Sequence, residues 1–175
     1  IIKVVCTFKD YYFSQSLKLS NISNYQELID ILLNKMDGKM NNLISVVVTC
    51  YNHEKYIEQC LRSIFNQTYR NIELIILDDG STDGSNQIIQ NVLNDSPFET
   101  SFESHENLGV VKNRNMGLGL TKGDYLLFVD SDNYLDMDYI EQLYSKLIET
   151  NADIAYCDLF NPEKEEFYLK SRKFD

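Results

Sequence analysis

From residue 43 onward the chain alternates between two apolar patterns. Ile44-Ser45-Val46-Val47-Val48-Thr49 is a β-branched apolar run, and Ile72 to Leu77 and Tyr125 to Val129 repeat the theme. Short runs that are apolar on both faces and bounded by polar turns read as buried strands of a parallel sheet. Between them the period lengthens. Ile57, Cys60, Leu61, Ile64 and Phe65 fall at i, i+3, i+4, i+7 and i+8, which predicts an amphipathic helix over 54–67. Ile88, Ile89, Val92 and Leu93 predict a second helix, capped by Asp83 or Ser85. A short third strand is expected over 98–103. A helix then opens at Asn107 and Gly109, runs toward Leu120 and closes at Lys122-Gly123. Ile140, Leu143, Tyr144, Leu147 and Ile148 mark a helix over 137–149, and 154–157 reads as a last short strand. Alternating strands and helices joined by short loops predict an α/β fold, a mostly parallel sheet flanked by helices.

The first 42 residues differ. A strand is expected over 1–8 and a helix over 25–36, where Asn24 can cap and Glu27 can reach back in a capping box. Asp37-Gly38 and the asparagines after it supply a stop and a short linker. The expected organisation is an N-terminal extension or remnant of a preceding segment over 1–42, and an α/β domain over 43–160. A tail over 161–175 then leads toward an acceptor-binding part outside the chain.

Composition narrows the partners. A chain of 175 residues can build one domain with a real core. The formal net charge of −11 argues against nucleic acid, whose binding rests on basic patches. An acidic protein can still hold a nucleotide if a metal and a few local donors neutralise the phosphates. No apolar run approaches the roughly 20 residues that span a bilayer. Cys6, Cys50, Cys60 and Cys157 are scattered without a Cys-x-x-Cys pair, which fits reduced thiols in a cytosolic setting.

The chemistry gathers where the strands stop. Three of them end in polar, turn-forming residues: Thr49-Cys50-Tyr51-Asn52, Asp78-Asp79-Gly80-Ser81 and Asp130-Ser131-Asp132. Parallel sheets place ligands outside the carboxyl ends of their strands, so the three should converge on one edge. Residues i and i+2 of an extended segment point the same way, so Asp130 and Asp132 can face one site. Clustered carboxylates repel unless a cation compensates, and a hard divalent ion that also binds substrate phosphates meets that need. Taken alone, Asp-x-Asp reads more readily as a pair of solvated turn aspartates. His53 reads as a surface residue in a turn, and His105, beside Glu103 and Glu106, as part of a solvated cluster.

Order and spacing of these blocks carry a resemblance. Ser45 to Asn52, Asn66-Gln67-Thr68-Tyr69, Glu73 to Asp83, Glu106-Asn107-Leu108-Gly109, Arg114-Asn115-Met116-Gly117, Gly123-Asp124-Tyr125 and Asp130-Ser131-Asp132 follow one another as in family 2 glycosyltransferases. The chain resembles the nucleotide-binding half of those enzymes, which have the GT-A fold. The resemblance implies that Thr49 and Tyr51 hold the nucleotide base. It gives Asp79 the ring N–H of that base, and places Asn107 and Arg114 near base and phosphates. Arg114 suits a diphosphate because its fork presents several donors at once. Asp132 would ligate Mn2+ or Mg2+ across the diphosphate. Asp130 would lie nearer the ribose or a metal-bound water and also serve the metal, with Ser131 in the nucleotide-binding set. The implied reaction is metal-dependent, inverting transfer of a sugar from a UDP-sugar to a hydroxyl of a saccharide or glycoconjugate acceptor. A cytoplasmic setting, at or near the inner face of the membrane, goes with it, and a homo-oligomer is compatible with it. The family's catalytic base normally lies well beyond the metal motif. None is assigned here, since Asp153 and Asp158 stand in the wrong context, and the base is expected beyond Asp175.

Rival readings meet specific obstacles. Asp130, Asp132, Asp136, Asp138 and Glu141 fit an EF-hand count, but its sixth place is Leu135 where that loop needs glycine, and a strand precedes it. A nucleotidyltransferase would show a glycine- and arginine-rich loop where Tyr51-Asn52-His53-Glu54 stands. A dinucleotide-binding oxidoreductase would need Gly-x-Gly-x-x-Gly after a strand. A sugar-nucleotide-binding or interaction module without catalysis is the remaining alternative, and the general base in a longer sequence separates it from an enzyme.

Overall fold

The computed structural model describes residues 3–4, 42–157, 160–161 and 166–167. Strands β1 (Lys3–Val4), β2 (Ile44–Cys50), β3 (Ile72–Asp78), β4 (Glu99–Ser104) and β5 (Tyr125–Asp130) form one parallel sheet in the order β1-β5-β2-β3-β4. Helices α1 (Ile57–Phe65), α2 (Ser85–Leu93), α3 (Val110–Leu120) and α4 (Tyr139–Thr150) fill the connections and follow the last long strand. β6 (Phe160–Asn161) and β7 (Glu166–Phe167) pair antiparallel. The 25–36 helix expected in the N-terminal segment lies outside the described residues, as does Cys6.

The strand order explains where the helices lie. From β2 the chain steps outward to β3 and β4, then returns across the sheet to pair β5 with the other side of β2. Right-handed crossovers put helices from the outward steps on one face and the helix of the return step on the other. Alternate residues of each strand feed the two faces. Ile44, Val46 and Val48 of β2, Leu74 and Ile76 of β3, and Leu127 and Val129 of β5 pack with apolar side chains of α1, α2 and α4. Val47, Ile75, Leu77 and Leu126 face the other way, toward Met116 of α3. With helices on both faces, β2 and β3 are buried along their whole length, hence their unbroken apolar runs.

α3 approaches the sheet closely because of one residue. A Cβ at Gly117 would collide with Val47 and lie 3.1 Å from Leu77 Cδ1. At the edge away from the strand ends, the buried Glu73 carboxylate secures the turn into β5. Its Oε1 accepts the Ser45 hydroxyl and the N–H groups of Lys122 at 2.6 Å and Gly123 at 3.0 Å.

Several element bounds differ from the sequence reading. α1 begins at Ile57 because the His53 carbonyl already accepts the N–H groups of Tyr56 and Ile57, closing a turn at 3.0 and 2.9 Å. No side chain caps α2 from its N-cap, Gly84. Glu54 Oε2 accepts the Gly84 N–H at 2.8 Å instead, while Asp83 takes the N–H groups of Ser85 and Glu54 at 3.0 Å each. The stretch expected as a last strand over 154–157 makes only an isolated bridge at Ile154.

Candidate functional site

The switch point lies between β2 and β5, where the strand order reverses, and open α/β sheets form their ligand crevice at such a point. Cys50 pairs with Asp78 and Thr49 with Asp130, so the three strand ends are level. The ladder continues one residue beyond them. The Asp79 N–H reaches the Cys50 carbonyl at 2.8 Å, the Ser131 N–H the Thr49 carbonyl at 3.1 Å, and the His105 N–H the Asp78 carbonyl at 3.2 Å. Each loop therefore leaves the sheet in a fixed direction.

A hollow of about 370 Å³ opens there, lined by Thr49, Tyr51, Asp79, Asn107, Arg114, Asp130 and Asp132, together with Cys50, His53, Gly109, Val110 and Asn113. The structure thus gathers Thr49, Tyr51, Asp79, Asn107, Arg114, Asp130 and Asp132 from segments as far apart in sequence as 49 and 132. Ser131 is the exception: its side chain is fully buried, and its hydroxyl lies 2.7 Å from His53 Nδ1.

Asp79 is almost wholly buried and already engaged. Its Oδ1 accepts the Leu108 N–H at 2.7 Å and its Oδ2 the Gly109 N–H at 3.0 Å, fastening the loop that carries Asn107. A carboxylate has about four acceptor positions, so it can still receive a further donor from the hollow. The loop approaches closely because Gly80 adopts φ +74°, where a Cβ would stand 2.7 Å from the Asn107 nitrogen. His105 completes the fastening, with Nδ1 2.8 Å from the Glu106 carbonyl and Nε2 3.1 Å from Asn113 Oδ1. Asp78, also buried, serves the turn itself through Ser81, Asn86 and Ser104.

Across the hollow, Arg114 Nη2 donates to Asp130 Oδ1 at 2.6 Å, and the Thr49 hydroxyl reaches the same oxygen at 3.3 Å. The Arg114 Nε is buried without a partner, and its guanidinium stands 5.9 Å from the Phe128 ring centroid. Asp132 is exposed and pairs with no side chain among the described residues. An arginine with an unused buried donor beside two carboxylates is a site with capacity for an anion and a cation together.

A profile of the family described as glycosyl transferase family 2 matches residues 45–174, most of the chain. The chain belongs to glycosyl transferase family 2. Over 132 residues it is 40% identical to the glycosyltransferase GlyA of Streptococcus pneumoniae, a match covering 74% of this chain and 19% of that protein. Over 139 residues it is 36% identical to the glycosyltransferase GlyG of the same organism, covering 77% of this chain and 46% of that one. The chain therefore spans less than half the length of either relative. Among solved structures, Staphylococcus aureus TarS 1-349 in complex with UDP-GlcNAc superposes with a TM-score of 0.57 at 32% identity, over 63% of this chain and 32% of that one. A mannosyltransferase from Pyrobaculum calidifontis in complex with GDP-Man and Mn2+ gives 0.50 at 26% identity, over 52% and 28% of the two chains. The GT-A-like fold class expected from the sequence is what the sheet and these likenesses show.

For a family 2 domain the donor set at the hollow has a clear shape. Among the described residues no group of three or more His, Cys, Asp or Glu side chains can enclose a metal. Asp130 and Asp132 alone offer two carboxylates, which fits an ion whose remaining oxygen ligands come from phosphates and water. The EF-hand count fails in three dimensions too. Glu141 accepts the Thr68 hydroxyl at 2.5 Å and Asp138 pairs with Gln142, both away from Asp130. A larger hollow of about 540 Å³ lies over α1, lined by Lys55, Glu58, Arg62 and Tyr134 among others, where Arg62 is already paired with Glu58 at 2.8 Å. Among the described residues no helix is long and apolar enough to cross a membrane.

Two histidines, one lining the hollow and one bonded to its lining residue Asn113, were read only as solvent-facing in the sequence. His53 lines the hollow and touches Ser131, and is not the surface residue expected; its signal would have been the polar spacing of the first strand end. His105 is mostly enclosed and joins the 105–109 loop to α3, so it is not part of a solvated cluster. The buried thiols behave as expected. Burial pushes Cys50 above the ordinary thiol value and Cys60 up to about 12.

Proposed function

We propose that this chain is the donor-binding part of a glycosyltransferase that takes a UDP-sugar with Mn2+ or Mg2+ and transfers the sugar to a hydroxyl of a saccharide or glycoconjugate acceptor. The observation that carries the reading is the convergence of Thr49, Tyr51, Asp79, Asn107, Arg114, Asp130 and Asp132 on one hollow at the switch point. The likeness to TarS in complex with UDP-GlcNAc supports a uridine diphosphate donor.

Each residue has a task the geometry permits. Tyr51, about half exposed, offers a ring face to a planar base, with Asp79 behind it as acceptor for a base N–H. The unpartnered Arg114 donor can turn to phosphate oxygens, where a guanidinium fork gives directed, charge-assisted bonds. Asp130 and Asp132 would hold the divalent ion, which as a Lewis acid would stabilise the departing diphosphate. An acceptor hydroxyl, losing its proton to a base not assigned among these residues, would attack the anomeric carbon as the bond from that carbon to the diphosphate oxygen breaks. Attack from the face opposite the leaving group inverts the configuration. Cell-surface polysaccharide or glycoconjugate assembly is the setting in which such a transfer would serve.

Titration calorimetry of UDP, with and without Mn2+, on the wild type and on Asp132→Ala tests the reading. Metal-dependent binding that the substitution abolishes supports it. UDP binding that is equally strong without metal, or unaffected by the substitution, contradicts the metal role.

A further inference from the structure

We propose that His53 is a positioning residue for the Asp130-Ser131-Asp132 turn. Through its bond to Ser131 it would set the direction in which the two flanking carboxylates meet a divalent ion. The inference rests on the metal-dependent donor site proposed above and assigns a task to a side chain outside its ligand set.

The argument begins with how firmly His53 is held. Its N–H donates to the Ser85 hydroxyl at 2.9 Å, and its carbonyl accepts the N–H groups of Tyr56 and Ile57 at the start of α1. The ring thus hangs from a backbone fixed on both sides by different elements. Its Nδ1 lies 2.7 Å from the Ser131 hydroxyl, with Tyr56 edge-on at 6.2 Å.

Ser131 is fixed in turn. It is fully buried, its N–H bonds the Thr49 carbonyl at 3.1 Å, and the Asn133 N–H closes the following turn onto the Asp130 carbonyl at 2.9 Å. With the Ser131 side chain locked inward inside that turn, the Asp130 side chain, 46% exposed, and the exposed Asp132 stand on the solvent side. Without the His53 bond, only the main-chain bonds of Ser131 and Asn133 would hold the turn, and neither engages Asp132, which has no side-chain partner of its own among the described residues. Outer contacts that orient metal ligands typically matter by about 10- to 100-fold in metal affinity.

The test measures how far Mn2+ strengthens UDP binding, by calorimetry, in the wild type, His53→Ala, Ser131→Ala, the double variant and His53→Asn. The expected result is a loss of about tenfold in that Mn2+-dependent gain for either alanine variant. The double variant should be no worse than the singles, and His53→Asn should recover part of the loss by restoring a polar partner at the Nδ1 position. Should His53→Ala not fold, Ser131→Ala removes the same bond and carries the test alone. Variants that lower the melting temperature but keep the full Mn2+-dependent gain would overturn the inference, as would losses that simply add in the double variant. A wild type with no Mn2+-dependent gain would overturn the donor-site reading and this inference with it. A wild type with the gain and variants that keep it would overturn only this one.

Discussion

Replacing Asp79 with alanine should unfasten the loop that carries Asn107, and the size of the effect can be worked out. The carboxylate is almost wholly buried and accepts two backbone N–H groups, from Leu108 at 2.7 Å and Gly109 at 3.0 Å. Hydrogen bonds to a charged group contribute about 1.5–3 kcal/mol each, so the pair sets an upper range of about 3–6 kcal/mol. Leu108 is 42% exposed, and water can reach its N–H once the carboxylate is gone. The expected net cost is therefore about 3 kcal/mol. At about 2–4 °C per kcal/mol for a domain of this size, the melting temperature should fall by about 6–12 °C. Asp79→Asn keeps one acceptor oxygen and should lose about half as much. Thermal and urea unfolding of the three proteins, alongside UDP titration, separates the loop from the ligand. An Asp79→Ala protein that unfolds within ~0.5 kcal/mol of the wild type while losing UDP would refute the reasoning, because it would make Asp79 a ligand residue and not a loop anchor.

Other substitutions probe different links of the chain. Arg114→Ala should weaken UDP binding at least tenfold yet change stability by no more than about 1 kcal/mol, since its pair with Asp130 is about two-fifths exposed; calorimetry and urea unfolding read the two effects. Glu73→Ala should destabilise by about 3 kcal/mol without touching UDP affinity in the folded protein, because Lys122, Gly123 and Ser45 lose a shared buried acceptor far from the hollow. Gly117→Ala should cost about 1–3 kcal/mol by pushing α3 off Val47, read by urea unfolding. Burial pushes Tyr69 well above the ordinary value of 10.0 and Tyr144 up to about 12. Their raised folded values contribute stability that is complete below pH 10 and lost as the pH climbs through 12. Tyrosinate absorbance should then show a late titration step coinciding with alkaline unfolding, and a single ordinary step would contradict the buried cluster.

The sheet was legible because β2 and β3 are buried on both faces, which writes an unbroken apolar run into the sequence. α1 was legible from its apolar stripe; its first turn was misjudged, since the His53 carbonyl closes a separate turn there, and it ends at Phe65, two residues short of the expected end. α3 was harder. Its buried residues are Asn113 and Gly117, so it meets the sheet with small and polar side chains and shows no apolar stripe; its flanking glycines gave the bounds. Of the residues lining the hollow, Thr49, Tyr51, Asp79, Asp130 and Asp132 could be read because they sit at or beside strand ends, whereas Asn107 in a loop and Arg114 within α3 were read only from the resemblance. What joins them could not. The His53–Ser131 bond spans 78 residues and the Asp79–Leu108 bond 29, and no local pattern records such pairings. The inward turn of Ser131 was hidden for the same reason: β5 ends at Asp130 and the Asn133 N–H closes a turn onto the Asp130 carbonyl, so the strand alternation expected to carry on through Asp132 stops there.

Backbone-amide NMR of the 15N-labelled chain, titrated with UDP in the presence of Mg2+, tests the location of the donor site most directly. The account predicts the largest shifts at Tyr51 to His53, at Asp79 and Asn107 to Gly109, at Arg114 and at Asp130 to Asp132, and predicts that Asp132→Ala suppresses them. Shifts centred on Lys55, Glu58, Arg62 and Tyr134 over α1, or no shifts at saturating UDP and Mg2+, would contradict it.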